Sequence, residues 1–152
     1  MKKLAILSGI FLFACNATSK LDNSDFSVIL QGEYGGKDEK THELITNNND
    51  FINAIESFPI TEEDLSKLIS IDFSQQNVII IHAGQKNNGG YSITIDKAEV
   101  IKNDLVIYVK ESGAKKEENV TMALTNPYCL ATIPKTKKVI VKLFSNKESF
   151  SR

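Results

Sequence analysis

The feature that most constrains the fold is the run VIII at residues 78–81, four consecutive β-branched residues. A strand with one solvated face alternates apolar and polar residues, whereas a strand covered on both faces is apolar throughout. The run therefore predicts an interior strand with a packed layer on each side. His82 extends this strand on the face of Val78 and Ile80. A lone histidine there is expected to be a hydrogen-bonded core or edge residue, not a metal ligand.

The chain after this run has the pattern of further strands. Residues 91–96 and 105–110 each place alternate side chains on opposite faces, and the segments 120–134 and 137–144 predict two more strands. The short polar stretch at residues 102–104 predicts a tight hairpin turn between the first two of these strands.

Two segments before the run have helical spacing. The first has apolar residues at 51, 52, 55 and 58, with Asn49 or Asp50 as the predicted N-cap and Pro59 as its end. The second begins at Thr61, which with Asp64 has nearly the form of a capping box, and has Leu65, Leu68 and Ile69 on one face. The acids at 62–64 suit the positive end of a helix dipole, and we interpret them as a helix start rather than a metal site.

These elements together predict an α+β domain, mainly an antiparallel sheet or sandwich-like arrangement preceded by one or two short helices. Ahead of the helices, two short strand-like runs flank Gly35 and Gly36, which predicts a hairpin or an irregular loop. We expect a single domain over residues 26–148, a length sufficient for one core.

The N-terminal residues have the pattern of a bacterial export signal. Lys2 and Lys3 precede the apolar stretch 4–13, which is shorter than the roughly 20 residues needed to span a bilayer. The following Leu12-Phe13-Ala14-Cys15 resembles the lipobox of bacterial lipoproteins, in which the chain is cut before the cysteine and the thiol is acylated. The alternative is a signal peptide that happens to contain a cysteine.

On the lipoprotein interpretation, residues 1–14 are a signal peptide and residues 15–25 are a polar tether that carries lipid at Cys15. Two or more acyl chains are enough for stable membrane attachment. Asn16 is not the aspartate associated with retention at the inner membrane, so the expected location is the bacterial cell envelope, at the outer membrane.

Nothing in the residue pattern indicates catalysis. The two histidines, His42 and His82, belong to no metal-binding motif, and the nucleophile, phosphate and dinucleotide motifs are missing from the sequence. We therefore predict no enzyme activity, cofactor or metal. After loss of the first 14 residues, 16 of the 18 basic residues face 19 acids, and no basic stripe points to nucleic acid. If Cys15 carries lipid, Cys129 has no partner and is expected to be a buried thiol.

Residues 71–144 resemble the C-terminal domain of the PrcB family, bacterial envelope proteins named after a subunit of a secreted protease complex. The likeness lies in the apolar strand that ends at Gly84, the loop Asn88-Gly89-Gly90-Tyr91, and the strand around Asn126-Pro127-Tyr128. The family commonly has threonine where Asn88 stands here. Residues 31–58 resemble the leading part of such lipoproteins more weakly. The resemblance implies a small β-rich accessory domain, often on a lipoprotein, without established catalytic residues. In the member after which the family is named, it implies a supporting role toward a protease.

The polar turn after the VIII run has two interpretations. It is either a plain hairpin turn or, gathered with residues 112–119 and 125–128 at one end of the sheet, a contact surface. On the second interpretation the domain binds or stabilises another envelope protein, such as a protease. An alternative is a protease inhibitor that inserts the 86–91 loop in a chagasin-like manner, and a third is a structural protein whose loops bind nothing. The candidate contact residues are Asn87, Asn88, Gly89, Gly90, Tyr91, Asn126, Pro127 and Tyr128.

Overall fold

A computed structural model describes residues 18–20, 25–113 and 122–143. The predicted signal peptide, Cys15 and most of residues 112–119 lie outside these ranges. Within them the chain forms eight strands and two helices: β1 Thr18–Lys20, β2 Ser27–Gly32, β3 Lys40–Ile45, α1 Asn48–Ile55, α2 Glu62–Ile69, β4 Gln76–Ala83, β5 Ser92–Ile101, β6 Asp104–Ser112, β7 Tyr128–Pro134 and β8 Val139–Leu143.

The strands form two four-stranded sheets that pack face to face. The first sheet has the order β1-β5-β6-β8 and the second has the order β2-β7-β4-β3. Neighbouring strands are antiparallel except β6 and β8, which are parallel. The predicted α+β class with mainly antiparallel strands is confirmed. The buried cluster between the sheets comprises Ile79, Ile81, Ala83, Ile93, Ile95, Ala98, Leu105, Ile107, Val109, Cys129, Ala131 and Ile133.

The VIII run is an interior strand, as predicted. It lies in β4, between β7 and β3, and its four residues are almost fully buried. Ile79 and Ile81 face the first sheet, whereas Val78 and Ile80 belong to a second cluster with Phe51 of α1 and Leu68 of α2. The helices therefore cover the face of the second sheet that the first sheet leaves open, which gives three layers.

Both helices begin at a residue whose side chain accepts a hydrogen bond from the backbone of the first turn. The N-cap of α1 is Asn47, two residues earlier than the first predicted cap, and its Oδ1 accepts from the backbone N–H of Asp50 at 3.0 Å. The capping box predicted for α2 is present, with Thr61 and Asp64 each accepting from the other's backbone N–H. Of the apolar face predicted for α2 only Leu68 is buried.

The hairpin interpretation of the polar turn at residues 87–90 is wrong. It requires β4 and β5 to pair, but β4 belongs to the second sheet and β5 to the first. Both edges of β4 are already occupied by β3 and β7, so the chain must cross to the other sheet. The predicted hairpin between β5 and β6 is confirmed, and its turn residues Lys102 and Asn103 have φ of 51° and 70°, as such two-residue turns require.

The segment around Gly35 and Gly36 is the irregular loop of the two predicted alternatives. β2 and β3 lie at opposite edges of the second sheet, so the loop between them crosses the end of that sheet. Three residues of the predicted tether, Thr18–Lys20, pair with β5 as an edge strand. β8 is parallel to β6 because the chain leaves β7 at the end of the sandwich where β6 begins, and Leu105 N–H donates there to Lys138 O.

Candidate functional site

Three loops meet at one end of the sandwich: residues 33–39, 84–91 and 122–127. Backbone hydrogen bonds join them directly. Asn126 N–H donates to Glu33 O at 2.8 Å, and Gly36 N–H donates to Asn126 O at 3.0 Å. Lys86 and Thr125 exchange two further bonds, of 2.8 and 3.1 Å. We call this bonded unit the loop end.

Side chains strengthen the loop end. The hydroxyl of Thr125 donates to Asn88 O at 2.9 Å, and the carboxylate of Glu33 accepts from Gly90 N–H at 3.2 Å. The amide of Asn126 donates to Asp38 at 2.7 Å. The two segments that the sequence placed at one end of the sheet, 87–91 and 125–127, are thus together. Because their shape is already fixed within the domain, binding of a partner would lose little entropy through ordering of these loops.

The predicted contact residues differ in what they offer a partner. Gly89 and Pro127 are buried, and the ring of Tyr128 is 1% exposed, stacked on Phe58 with 4.2 Å between ring centroids. Tyr128 therefore belongs to the core under the helices and does not present its side chain at the surface. Asn87 is exposed, and a partly exposed group remains beside it, namely Asn88, Gly90, Tyr91 and Asn126.

Three large apolar side chains at the loop end were not predicted. Tyr34 is 49% exposed, Met122 is 88% exposed and Leu124 is 56% exposed. The sequence pattern predicts a strand over residues 120–134, in which Met122 and Leu124 would be partly buried, but β7 begins only at Tyr128. The available signal was Pro127, which has no N–H for a sheet ladder and favours a late start of the strand.

A charged cluster joins the loop end to both sheets. The ammonium of Lys86 lies 5.7 Å from the centroid of the Tyr91 ring and 3.5 Å from a carboxylate oxygen of Glu111 in β6. The ammonium of Lys40, at the start of β3, contacts the same carboxylate. The Tyr91 ring packs against Gly113, where a Cβ would lie 3.3 Å from it. The end of β6 is therefore tied to the loop end through Glu111 and Tyr91.

His82 is a hydrogen-bonded core residue, as predicted. Its Nδ1 accepts from the backbone N–H of Lys37 at 3.1 Å, so the ring proton is on Nε2, which lies 2.8 Å from Glu43 Oε1. The ammonium of Lys37 lies 3.0 Å from the same oxygen. Both ring nitrogens are thus engaged, and neither is free to bind a metal or transfer a proton to a substrate.

This cluster predicts a loss of stability in acid. Burial lowers the pKa of His82, although Glu43 acts in the opposite sense. Burial raises the pKa of Glu43, but the hydrogen bonds from Lys37 and His82 outweigh it and leave that pKa below its usual value. Both groups bind fewer protons in the folded chain than in the unfolded one. The free energy of unfolding should therefore fall as the pH decreases below about 6.5.

Urea unfolding measured between pH 7.5 and 4.5 (roughly the range over which histidine and glutamate titrate) tests this. His82→Gln should remove the part of the fall that begins near pH 6.5, since glutamine can neither gain that proton nor lose it. His42→Gln changes the exposed histidine of β3 and is the matched control, which should retain the full fall. Identical pH profiles for the parent chain and His82→Gln would contradict the assignment.

Cys129 is a buried thiol, as predicted. It is fully buried, and desolvation raises its pKa to about 12, so it stays protonated. Among the residues that the structure describes, no three His, Cys, Asp or Glu side chains are grouped to hold a metal ion. No helix in the same ranges is long and apolar enough to cross a membrane.

A family model described as PrcB C-terminal matches residues 77–134. The match runs from the second residue of β4 to the last residue of β7, and so includes residues 84–91 and 122–127 of the loop end. It confirms the resemblance inferred from the sequence over a shorter range than 71–144. Comparison with curated proteins gives no match, and neither does comparison with solved structures.

Proposed function

We propose that this chain, whose residues 77–134 belong to the PrcB C-terminal family, is a non-catalytic accessory domain that binds another envelope protein, such as a protease. The observation that carries the proposal is the loop end, where three mutually bonded loops hold Tyr34, Met122 and Leu124 exposed. Apolar anchors on a rigid base are the arrangement that gives most binding energy per residue, because little entropy is lost when they are covered.

The polar residues of the loop end fit the same proposal. Protein interfaces have an apolar centre and a polar, solvated rim. Asn87, Asn88 and Asn126 supply neutral hydrogen-bonding groups at the loop end, all at least partly exposed. Neutral amides are cheaper to desolvate than charged groups, so they suit the edge of an interface.

The proposal also includes attachment to the envelope. Acyl groups on Cys15 would tether the domain to a bacterial membrane, at the outer membrane, with the loop end available to the partner. The support is the lipobox-like Leu12-Phe13-Ala14-Cys15 after a basic and apolar leader.

The inhibitor alternative is not put forward. A loop that enters a protease cleft must project from its scaffold, but residues 86–91 are bonded to Glu33 and Thr125 on their neighbours. Gly89, at the centre of that loop, is buried.

Photocrosslinking in intact cells tests the binding proposal. A photoreactive residue in place of Asn88 should capture one dominant envelope protein, identified by mass spectrometry. The double substitution Met122→Asp and Leu124→Asp should lower this yield at least tenfold, since a hot-spot side chain contributes about 2 kcal/mol or more. If the captured protein is a protease, its activity in cells that lack this domain shows whether the domain supports it.

The matched control is Leu65→Asp with Ile69→Asp, which changes two exposed apolar residues of α2 in the same way. It should leave the crosslink intact. Crosslinks from other surfaces with none from position 88, or equal losses in the two double variants, would reject the loop end as the binding surface.

A further inference from the structure

The end of the sandwich opposite the loop end contains a basic cavity. Its volume is about 600 Å³, and it lies where the β5–β6 hairpin meets the connection from β7 to β8. Three lysines and one carboxylate line it, together with neutral polar side chains. The lining residues are Thr46, Asn77, Asn103, Asp104, Lys135, Thr136, Lys137 and Lys138. We call this the basic end.

The lysines of the basic end keep hydrogen-bond donors to spare. Lys135 donates to Asn77 Oδ1 at 3.2 Å and to the Phe73 carbonyl, and Lys138 pairs with Asp104 at 2.7 Å. An ammonium has three N–H groups, so Lys135 keeps one and Lys138 keeps two. Lys137 is exposed. The buried Asn77 holds the wall in place, because its amide donates to Thr136 O at 2.7 Å.

The loop end has the opposite balance of charge. Its three loops include three acids and two lysines, against one acid and three lysines in the cavity wall. The acids are Glu33, Asp38 and Glu39, and the lysines are Lys37 and Lys86. An anionic surface would therefore attract the basic end and repel the loop end.

The chain enters the domain at the basic end. β1 is antiparallel to β5, and Thr18 pairs with Ile101, the residue next to the β5–β6 turn. Cys15 precedes Thr18 by three positions. A fully extended chain advances at most ~3.6 Å per residue, so Cys15 lies within about 11 Å of Thr18. A lipid on Cys15 would place the basic end, and not the loop end, at the membrane.

We propose that the basic end docks on the anionic membrane surface, with the phosphate of a lipid headgroup in the lysine-lined cavity. The choice of a lipid as the source of the anion rests on the proposed anchoring at Cys15. Lysine ammonium groups bind phosphate as point charges, and each basic residue near an anionic membrane strengthens association about fivefold.

Vesicle co-sedimentation tests this with the unacylated chain, residues 15–152 carrying Cys15→Ser, so that no lipid on the protein contributes. It should bind vesicles of phosphatidylcholine mixed with phosphatidylglycerol and not vesicles of phosphatidylcholine alone. Lys137→Gln with Lys138→Gln should weaken this binding about 25-fold. Lys97→Gln with Lys110→Gln removes the same charge from β5 and β6 outside the cavity and is the control. A change of less than about threefold is expected, because salt screens the attraction between exposed charges beyond ~10 Å.

Three results would overturn the proposal: equal binding to both vesicle types, an unaffected Lys137/Lys138 variant, or an equal loss in the Lys97/Lys110 control. A competition arm separates the two sources of phosphate. Inorganic phosphate at millimolar concentration should not displace the chain from the vesicles at constant ionic strength, and displacement would make the cavity a site for soluble phosphate. The anchoring proposal is tested separately, and it fails if mass spectrometry finds no acyl groups on the wild-type protein.

Discussion

Tyr128→Ala is expected to lower the free energy of unfolding by about 3–5 kcal/mol, the range measured when a large buried aromatic side chain is removed. The residue lies in one of the segments that the sequence assigns to a contact surface, but its ring is buried under the helices. It stacks on Phe58 and belongs to the cluster that includes Val78, Ile80 and Leu130. Alanine would leave a cavity that these neighbours, held in strands, cannot fill.

Urea unfolding of the unacylated chain measures this loss. With m near 2 kcal/mol/M, the midpoint should fall by about 2 M while m stays constant. Tyr128→Phe keeps the stacked ring and should cost less than about 1.5 kcal/mol. Tyr34→Ala removes an exposed tyrosine and should change stability by no more than about 0.5 kcal/mol. A Tyr128→Ala midpoint close to that of the parent would show that the ring is not part of the core.

Cys15→Ser is expected to release the protein from the membrane. Each buried methylene of an acyl chain contributes about 0.8 kcal/mol, so loss of two or three chains removes the whole of the proposed anchor. Membranes from cells that express the variant should be washed at high salt before fractionation, since the basic end would otherwise retain part of it electrostatically. The wild-type protein should remain in the membrane fraction.

Cys129→Ala is the matched control for the anchor, because it removes the other cysteine of the chain and should leave the protein attached. Mass spectrometry of the wild-type N-terminal peptide should find acyl groups on Cys15. A wild-type protein that is released by the salt wash would favour the alternative of an ordinary signal peptide. A Cys15→Ser variant that stays attached would show that acyl groups on Cys15 are not what holds the protein at the membrane.

The parts of the fold that depend on local chemistry could be predicted from the sequence. The burial of β4 follows from its unbroken β-branched run, the start of α2 follows from Thr61 and Asp64, and the β5–β6 hairpin follows from its two-residue turn. The choice of strand partners could not be predicted in the same way. Residues 87–90 suit a hairpin turn, but β3 and β7 occupy both edges of β4, and that competition is decided by residues far away in the sequence.

The candidate site shows the same division. Glycine and asparagine identify residues 87–90 as a loop, and the structure brings them beside Thr125 and Asn126. The exposure of Met122 and Leu124 could not be predicted, because an apolar residue before a strand has the same pattern whether it is packed or solvated. Whether such a residue is packed or solvated depends on where the neighbouring loops lie.

The pairing of β1 with β5 sets the height of the domain above its proposed anchor. A flexible tether of ten polar residues would have a root-mean-square end-to-end distance of about 18 Å. Because Thr18 is already paired with β5, only three residues separate the sandwich from Cys15, and their maximum reach is about 11 Å. β5 has 10 residues, so at about 3.3 Å per residue the loop end would stand roughly 33 Å beyond the basic end. A partner anchored in the same membrane could therefore be bound only through a surface that lies at about the height of the loop end above the membrane.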